Sequence, residues 1–87
     1  NGYFVTGAFA MTLPAAPAQG EMVIIYADTT STVTITANTG QTIRLASNTT
    51  AAAGSITSGS RGDSLTLRYR TSGTEWKGVD AAGGWIF

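Results

Sequence analysis

The chain has 87 residues, of which 43% are apolar, with five basic and five acidic side chains and neither Cys nor His. This length predicts one domain, and the missing Cys and His exclude a disulfide framework and the usual zinc ligand sets. Zero net charge argues against nucleic-acid binding, and no apolar run approaches the roughly 20 residues of a membrane span.

Residues 3–13 are rich in β-formers and stop at Pro14, which cannot donate to a strand ladder. A Pro-containing connector then leads to residues 21–28, which are apolar on both alternating faces. This pattern predicts a strand that is covered on both sides. The chain begins at Asn1 rather than Met, so we interpret the N-terminus as the cut edge of a longer chain.

The segment STVTITA has the clearest alternation, with Val33, Ile35 and Ala37 on one side and Thr residues on the other. Turn residues at 38–40 follow, and QTIRLA then repeats the alternation. These two segments predict a hairpin of half-buried strands.

Residues 47–60 are small, polar and dotted with Gly, with only Ile56 as an apolar anchor, and predict a long loop with room for one short strand. Residues 63–70 alternate again, with Leu65, Leu67 and Tyr69 predicted to point inward. A TSG turn returns the chain as a partner strand, TEWKGV, and the chain ends on the apolar run GGWIF.

The tetrapeptide Arg61-Gly62-Asp63-Ser64 matches an adhesion signal that some animal-cell receptors read. The simpler interpretation is a turn in which Gly62 adopts a positive φ and Asp63 bonds locally to open the next strand. We favour the turn.

These elements predict an all-β fold, a small antiparallel sandwich or barrel-like domain. Its strands carry few of the charges that normally protect sheet edges, so we expect the chain to associate with copies of itself. Three copies around an axis would cover the second apolar face of residues 21–28, together with some of the Phe residues, for which Phe4, Phe9 and Phe87 are the candidates.

In order along the chain, the segments resemble small β-modules that end tail fibres and tailspikes of bacteriophages and prophages. The resemblance covers about residues 12–79. The matching positions are Leu13, Pro14, Pro17, Gly20, Glu21, Asn38, Gly40, Ile43, Gly62, Asp63, Leu65, Leu67, Tyr69 and Trp76. It implies a non-enzymatic homotrimer near the end of a virion fibre that contacts the host cell surface. On this interpretation residues 1–11 form an N-terminal strand or fibre-proximal segment, and residues 12–87 form the β-sandwich module.

Catalysis has little support, because without His or Cys the Ser and Thr residues lack the usual base, and we predict that the chain is not an enzyme and uses no cofactor. Glu75 beside Trp76 suggests a glycosidase acid next to a sugar platform. The competing interpretation pairs Glu75 with Lys77 or with an Arg across the hairpin.

Saccharide binding is the remaining ligand chemistry, with aromatic faces for sugars and Arg donors for acidic glycans or lipopolysaccharide phosphates. The candidate receptor contacts are Trp85, Trp76, Arg68, Arg70, Ser47, Asn48 and Thr49. For both Trp residues, packing in the core or at a subunit interface is the alternative. A second function stays open: a monomeric carbohydrate-binding or adhesin module of a secreted, extracellular bacterial protein.

Overall fold

The computed structural model describes residues 2–58 and 60–87 and places nine strands in them. In chain order they are β1 (Gly2–Val5), β2 (Phe9–Thr12), β3 (Met22–Ala27), β4 (Val33–Thr36), β5 (Thr42–Leu45), β6 (Asn48–Thr49), β7 (Ser55–Ser58), β8 (Asp63–Arg70) and β9 (Glu75–Ala82). The described residues contain no helix, and hence none long and apolar enough to cross a membrane. The predicted all-β character is confirmed.

The strands form two sheets: a six-stranded sheet in the order β1-β3-β8-β9-β5-β6 and a three-stranded sheet in the order β2-β4-β7. Among the strand pairings of the described residues, β1 with β3, β2 with β4 and β5 with β9 are parallel, and the other four are antiparallel. The predicted antiparallel arrangement therefore holds for four of these seven pairings, and both sheets are mixed.

The parallel pairings arise because the chain repeatedly crosses from one sheet to the other. We call each strand–turn–strand unit that joins the two sheets an arch: the first arch is residues 2–12, the second 22–36, and the third 55–70, which runs in the opposite direction. The first arch lies in register on the second, with Val5 beside Ala27 and Phe9 beside Val33. Residues 2–12 thus extend the same two sheets as the rest of the chain.

The core lies between the sheets and is built from the inward side of each alternation. It comprises Val5, Leu13, Val23, Ile25, Ala27, Val33, Ile35, Ala37, Ile43, Ile56, Leu65, Leu67, Tyr69 and Trp76. The inward residues predicted for STVTITA and for residues 63–70 are confirmed. Packing of these side chains, in a chain without disulfides, is what holds the two sheets together.

The hairpin predicted from STVTITA and QTIRLA does not form. β4 lies in the three-stranded sheet, whereas β5 lies in the six-stranded sheet beside β9. The turn at 38–40 carries the chain between sheets, and the buried side chain of Gln41 fixes it there by donating through Nε2 to the carbonyl of Pro14 at 2.8 Å. Turn residues specify a reversal of direction but not which strand becomes the neighbour.

Residues 47–60 are more ordered than the predicted loop, since they contain β6 and β7, while Gly59 lies outside the described residues. β7 pairs with β4 along four residues, and Ile56 is fully buried. A single apolar anchor was enough to make this segment a core strand, because its polar neighbours Thr57 and Ser55 face outward or bond across the sheet.

Candidate interaction surface

The outward face of β3 is apolar and exposed. Strand alternation points Val23 and Ile25 into the core and leaves Ile24 and Tyr26 on the outside, where they are 41% and 39% exposed. The prediction that this strand is covered on both sides is therefore wrong within one copy of the chain, because no second layer packs on the outer face among the described residues.

The register of β1 extends this apolar surface. Phe4 pairs with Tyr26 and is 82% exposed, and the two rings meet edge to face with centroids 5.7 Å apart. Such aromatic pairs favour a fixed relative orientation. We call Phe4, Ile24 and Tyr26 the apolar patch; it lies at the β1 edge of the six-stranded sheet.

The other half of the same face is cationic. Strand registers place Arg44 of β5 beside Lys77 of β9, and Lys77 beside Arg68 of β8. We call these three residues the cationic row, and Arg70 lies on the same face two residues beyond Arg68. Four of the five basic residues of this neutral chain therefore share one sheet face.

Each Arg of this face is held by a backbone carbonyl. Arg68 donates from Nε and Nη2 to the carbonyl of Gly20 at 3.3 and 3.2 Å, and Arg44 donates from Nε to Ala46 at 2.9 Å. Arg70 donates from Nε to Ser72 at 3.0 Å. A guanidinium has five N–H donors, so these contacts leave further donors that point toward solvent.

Glu75 is the acidic residue enclosed by this face. Its side chain is largely buried, 3.1 Å from Lys77 Nζ and 3.6 Å from Arg70 Nη2 across the hairpin. The predicted pairing of Glu75 with Lys77 or a cross-strand Arg is confirmed. A carboxylate in this position partly balances the local positive charge.

Trp76 must be removed from the candidate receptor contacts. It is 0% exposed, tilts against Tyr69 with ring centroids 5.2 Å apart, and donates its Nε1–H to Gln41 Oε1 at 2.9 Å. Strand alternation explains this placement, because Glu75 on the outer face turns the next side chain into the core. A fully buried indole has no face to offer a sugar, so the core interpretation of Trp76 is the correct one.

The other candidate contacts do not converge. Trp85 is half-buried against the core and donates its Nε1–H to the Ser64 carbonyl at 3.0 Å, at the end of β8 opposite to Arg70. Ser47, Asn48 and Thr49 are exposed on the β5–β6 hairpin, where Thr49 continues the row of Arg44. Arg68 and Arg70 lie between these groups. Of the predicted receptor contacts, Thr49, Arg68 and Arg70 lie on the cationic face of the six-stranded sheet. Trp85 does not lie on that face.

The neighbouring positions of Arg44 and Lys77 were not predicted from the sequence. The outward direction of each side chain is readable from the alternation, whereas their adjacency depends on the parallel pairing of β5 with β9. The sequence carries no signal for that pairing.

The tetrapeptide Arg61-Gly62-Asp63-Ser64 forms a turn that leads into β8, as predicted. Gly62 has a φ of 94°, and Asp63 is only 4% exposed, with its carboxylate accepting the Ser58 hydroxyl hydrogen. Arg61 is ion-paired with Asp28 at 2.8 Å and links the turns of two neighbouring arches. With its carboxylate buried, this tripeptide does not present the pair of free charges that an adhesion receptor would bind.

The first arch carries side chains that the core covers only in part. Phe9 and Met11 pack against the core and are partly buried, Tyr3 is exposed, and an open cavity of about 300 Å³ is lined by residues 3–9. Comparisons of the chain with protein-family models, with curated proteins and with solved structures found no match. The interpretation of this surface therefore rests on its own chemistry.

Proposed function

We propose that this chain is a structural and receptor-binding module of a phage tail fibre or tailspike, and that it assembles as a homotrimer. The observation that carries the assembly is the apolar patch, in which Phe4, Ile24 and Tyr26 present large side chains to solvent on one sheet face. Contiguous exposed apolar surface of this kind marks interaction sites.

The free energy available from covering the patch is substantial for a chain of this size. Fully burying one exposed large apolar side chain contributes about 1.5–3 kcal/mol. Phe4 is 82% exposed but Ile24 and Tyr26 only 41% and 39%, so covering the patch contributes about 2–5 kcal/mol per copy before the cost of association. Three copies around an axis would each place the β1 edge of the sheet against a neighbour, covering Phe4 and Tyr26.

The unprotected sheet edges also support self-association. β1 and β2 are both edge strands, and residues 2–13 include no charged side chain and no Pro that would blunt an edge. The location in a virion fibre rests on the resemblance of residues 12–79 to phage fibre modules. The contact with a host saccharide is supported by the cationic half of the face.

A substitution on the patch tests the assembly. Ile24→Gln keeps the size and strand position but removes an exposed apolar side chain, so we expect it to shift the assembly midpoint to at least tenfold higher concentration. Val79→Gln is the matched control, because Val79 is exposed at the irregularity between β8 and β9 and lies outside the patch.

Light scattering of both variants over a concentration series gives the readout. Weakened assembly for Ile24→Gln with unchanged assembly for Val79→Gln supports the trimer through this face. Equal masses for both variants and the unmodified chain would contradict it. If the chain stays a monomer throughout, a monomeric carbohydrate-binding or adhesin module becomes the better description.

A further inference from the structure

The cationic row brings three positive charges together across neighbouring strands. Arg44, Lys77 and Arg68 follow one another in register, so their Cα atoms span two strand spacings, about 10 Å. Like charges directly opposite on a sheet destabilise it, and each of these pairs is such a contact. Arg70 adds a fourth positive charge two residues beyond Arg68 on β8.

The acidic groups of this face do not neutralise the row. Glu75 is shared between Lys77 and Arg70, and Asp80 pairs in register with Thr66, on the side of the row toward the third arch turn. No carboxylate of the described residues forms an ion pair with Arg44 or Arg68. The face therefore carries a local excess of positive charge on a chain whose net charge is zero.

The guanidinium groups of Arg44 and Arg68, which form no ion pair with a described residue, are held in place by hydrogen bonds. Their hydrogen bonds to the carbonyls of Gly20 and Ala46 fix the side chains over the sheet. A pre-organised guanidinium loses less conformational entropy when it binds, and its remaining donors match the two oxygens of a carboxylate, phosphate or sulfate.

We propose that the cationic row binds an acidic polysaccharide through the anionic groups of successive sugars. This inference deepens the proposed function by naming the ligand class and the residues, and it rests on that function only for the host-surface setting. Arg68 lies two strand spacings from β1, about 10 Å, and Lys77 and Arg44 lie three and four spacings away, about 14 and 19 Å, so a trimer contact at the β1 edge leaves the row accessible from the β5 side.

A polysaccharide fits the row better than a nucleic acid does. Duplex binding draws on the release of counterions from many phosphates, and a row of three or four cations on a neutral chain contacts few of them. The aromatic side chains nearest to the row, Tyr69 and Trp76, face the core and cannot stack on bases.

The experiment measures binding of dextran sulfate and of polygalacturonate to the whole chain by calorimetry, with neutral dextran and a short DNA duplex in parallel. We expect binding to both acidic polymers that weakens as salt is raised, no binding to neutral dextran, and weaker binding to DNA. Arg44→Gln and Arg68→Gln should each lower the affinity for the acidic polymers by about three- to fivefold.

Arg61→Gln is the matched control, because it removes the same charge from an exposed Arg that lies at an arch turn away from the row. An equal loss for Arg61→Gln would show that net charge alone drives binding and would overturn the proposal. Absence of binding to both acidic polymers, or DNA binding as tight as theirs, would overturn it as well.

Light scattering on the same samples separates this proposal from the proposed function. A chain that is trimeric but does not bind acidic polymers contradicts only the ligand assignment. A monomeric chain that binds them through Arg44 and Arg68 contradicts only the trimer.

Discussion

At the scale of single residues, the indole N–H groups of the two Trp side chains form hydrogen bonds that contribute differently to the stability of the fold. Trp76 bonds to Gln41 inside the core, whereas Trp85 bonds to the Ser64 carbonyl at a half-buried position. Removing a buried partner leaves a polar atom unsatisfied, which is costlier than losing a bond that water can replace.

We therefore expect Trp76→Phe to lower the free energy of unfolding by about 2–4 kcal/mol, from the lost bond and the lost volume. Trp85→Phe should lower it by less than about 1 kcal/mol. Urea unfolding followed by circular dichroism measures both. Similar losses for the two variants would show that the core interpretation of Trp76 is mistaken.

Gly83 offers a second residue-scale test. It has a φ of 93°, and a Cβ atom there would overlap the carboxylate of Asp63, whereas a Cβ at Gly84 meets nothing. Left-handed backbone costs a residue with a Cβ about 1–2 kcal/mol, and the overlap adds to it.

We expect Gly83→Ala to lower the thermal unfolding midpoint by several degrees, since about 1 kcal/mol corresponds to about 4–8 °C in a domain of this size. Gly84→Ala should leave the midpoint within about 2 °C. Differential scanning calorimetry gives both values. An unchanged midpoint for Gly83→Ala would mean that Asp63 and Gly83 are not in contact.

At the scale of elements, the stacking of the first two arches decides which backbone N–H groups of β2 donate hydrogen bonds to the neighbouring arch. Phe9 and Leu13 donate their N–H groups to Thr32 and Thr36 of the neighbouring arch. By strand alternation Met11 also points its N–H toward β4, and the N–H of Ala10 points to the free edge of β2.

Pro substitution distinguishes these two positions. Ala10→Pro removes an N–H that has no partner in the sheet, so we expect the free energy of unfolding to change by less than about 1 kcal/mol. Met11→Pro removes an N–H that points toward β4, so it breaks a hydrogen bond between the two strands and should lower the free energy of unfolding by about 3 kcal/mol or more. Chemical denaturation provides the comparison, and equal tolerance of both substitutions would contradict the β2–β4 register.

Much of this element level was readable from the sequence. Period-2 alternation located β4, β5 and β8 and gave the correct inward side chains, because burial of one sheet face imposes that pattern directly. The apolar run of residues 21–28 located β3 but did not show which of its faces is buried. Strand pairing was readable only for the β8–β9 hairpin, which the TSG turn predicted and the register confirms. The turn after β4 has the residues of a hairpin, yet it joins two sheets, since the choice depends on where β2 and β9 offer a free edge.

The candidate surface follows the same division. Arg68 and Arg70 were predicted to point outward and do so, whereas the neighbourhood of Arg44 and Lys77 arises from a parallel pairing between strands about 30 residues apart in the chain. For Trp76, packing in the core was the alternative to receptor contact, and strand alternation after Glu75 places its side chain in the core. Local pattern fixes the side on which a residue lies, and long-range pairing fixes its neighbours.

At the scale of the whole molecule, the outer face of the six-stranded sheet has two chemically different halves. The apolar patch lies toward β1, and the cationic row lies toward β5. On the proposed function, one half would associate with copies of the chain and the other half would bind an acidic ligand. Screening by salt should weaken ligand binding and strengthen or leave unchanged the apolar association.

The central claim is that the exposed apolar patch is covered by copies of the same chain. Sedimentation equilibrium of the unmodified chain over a wide concentration range tests it most directly. We predict a folded species of three times the 8.9 kDa chain mass that dissociates on dilution. A folded species that keeps the mass of a single chain at the highest concentrations would contradict the claim.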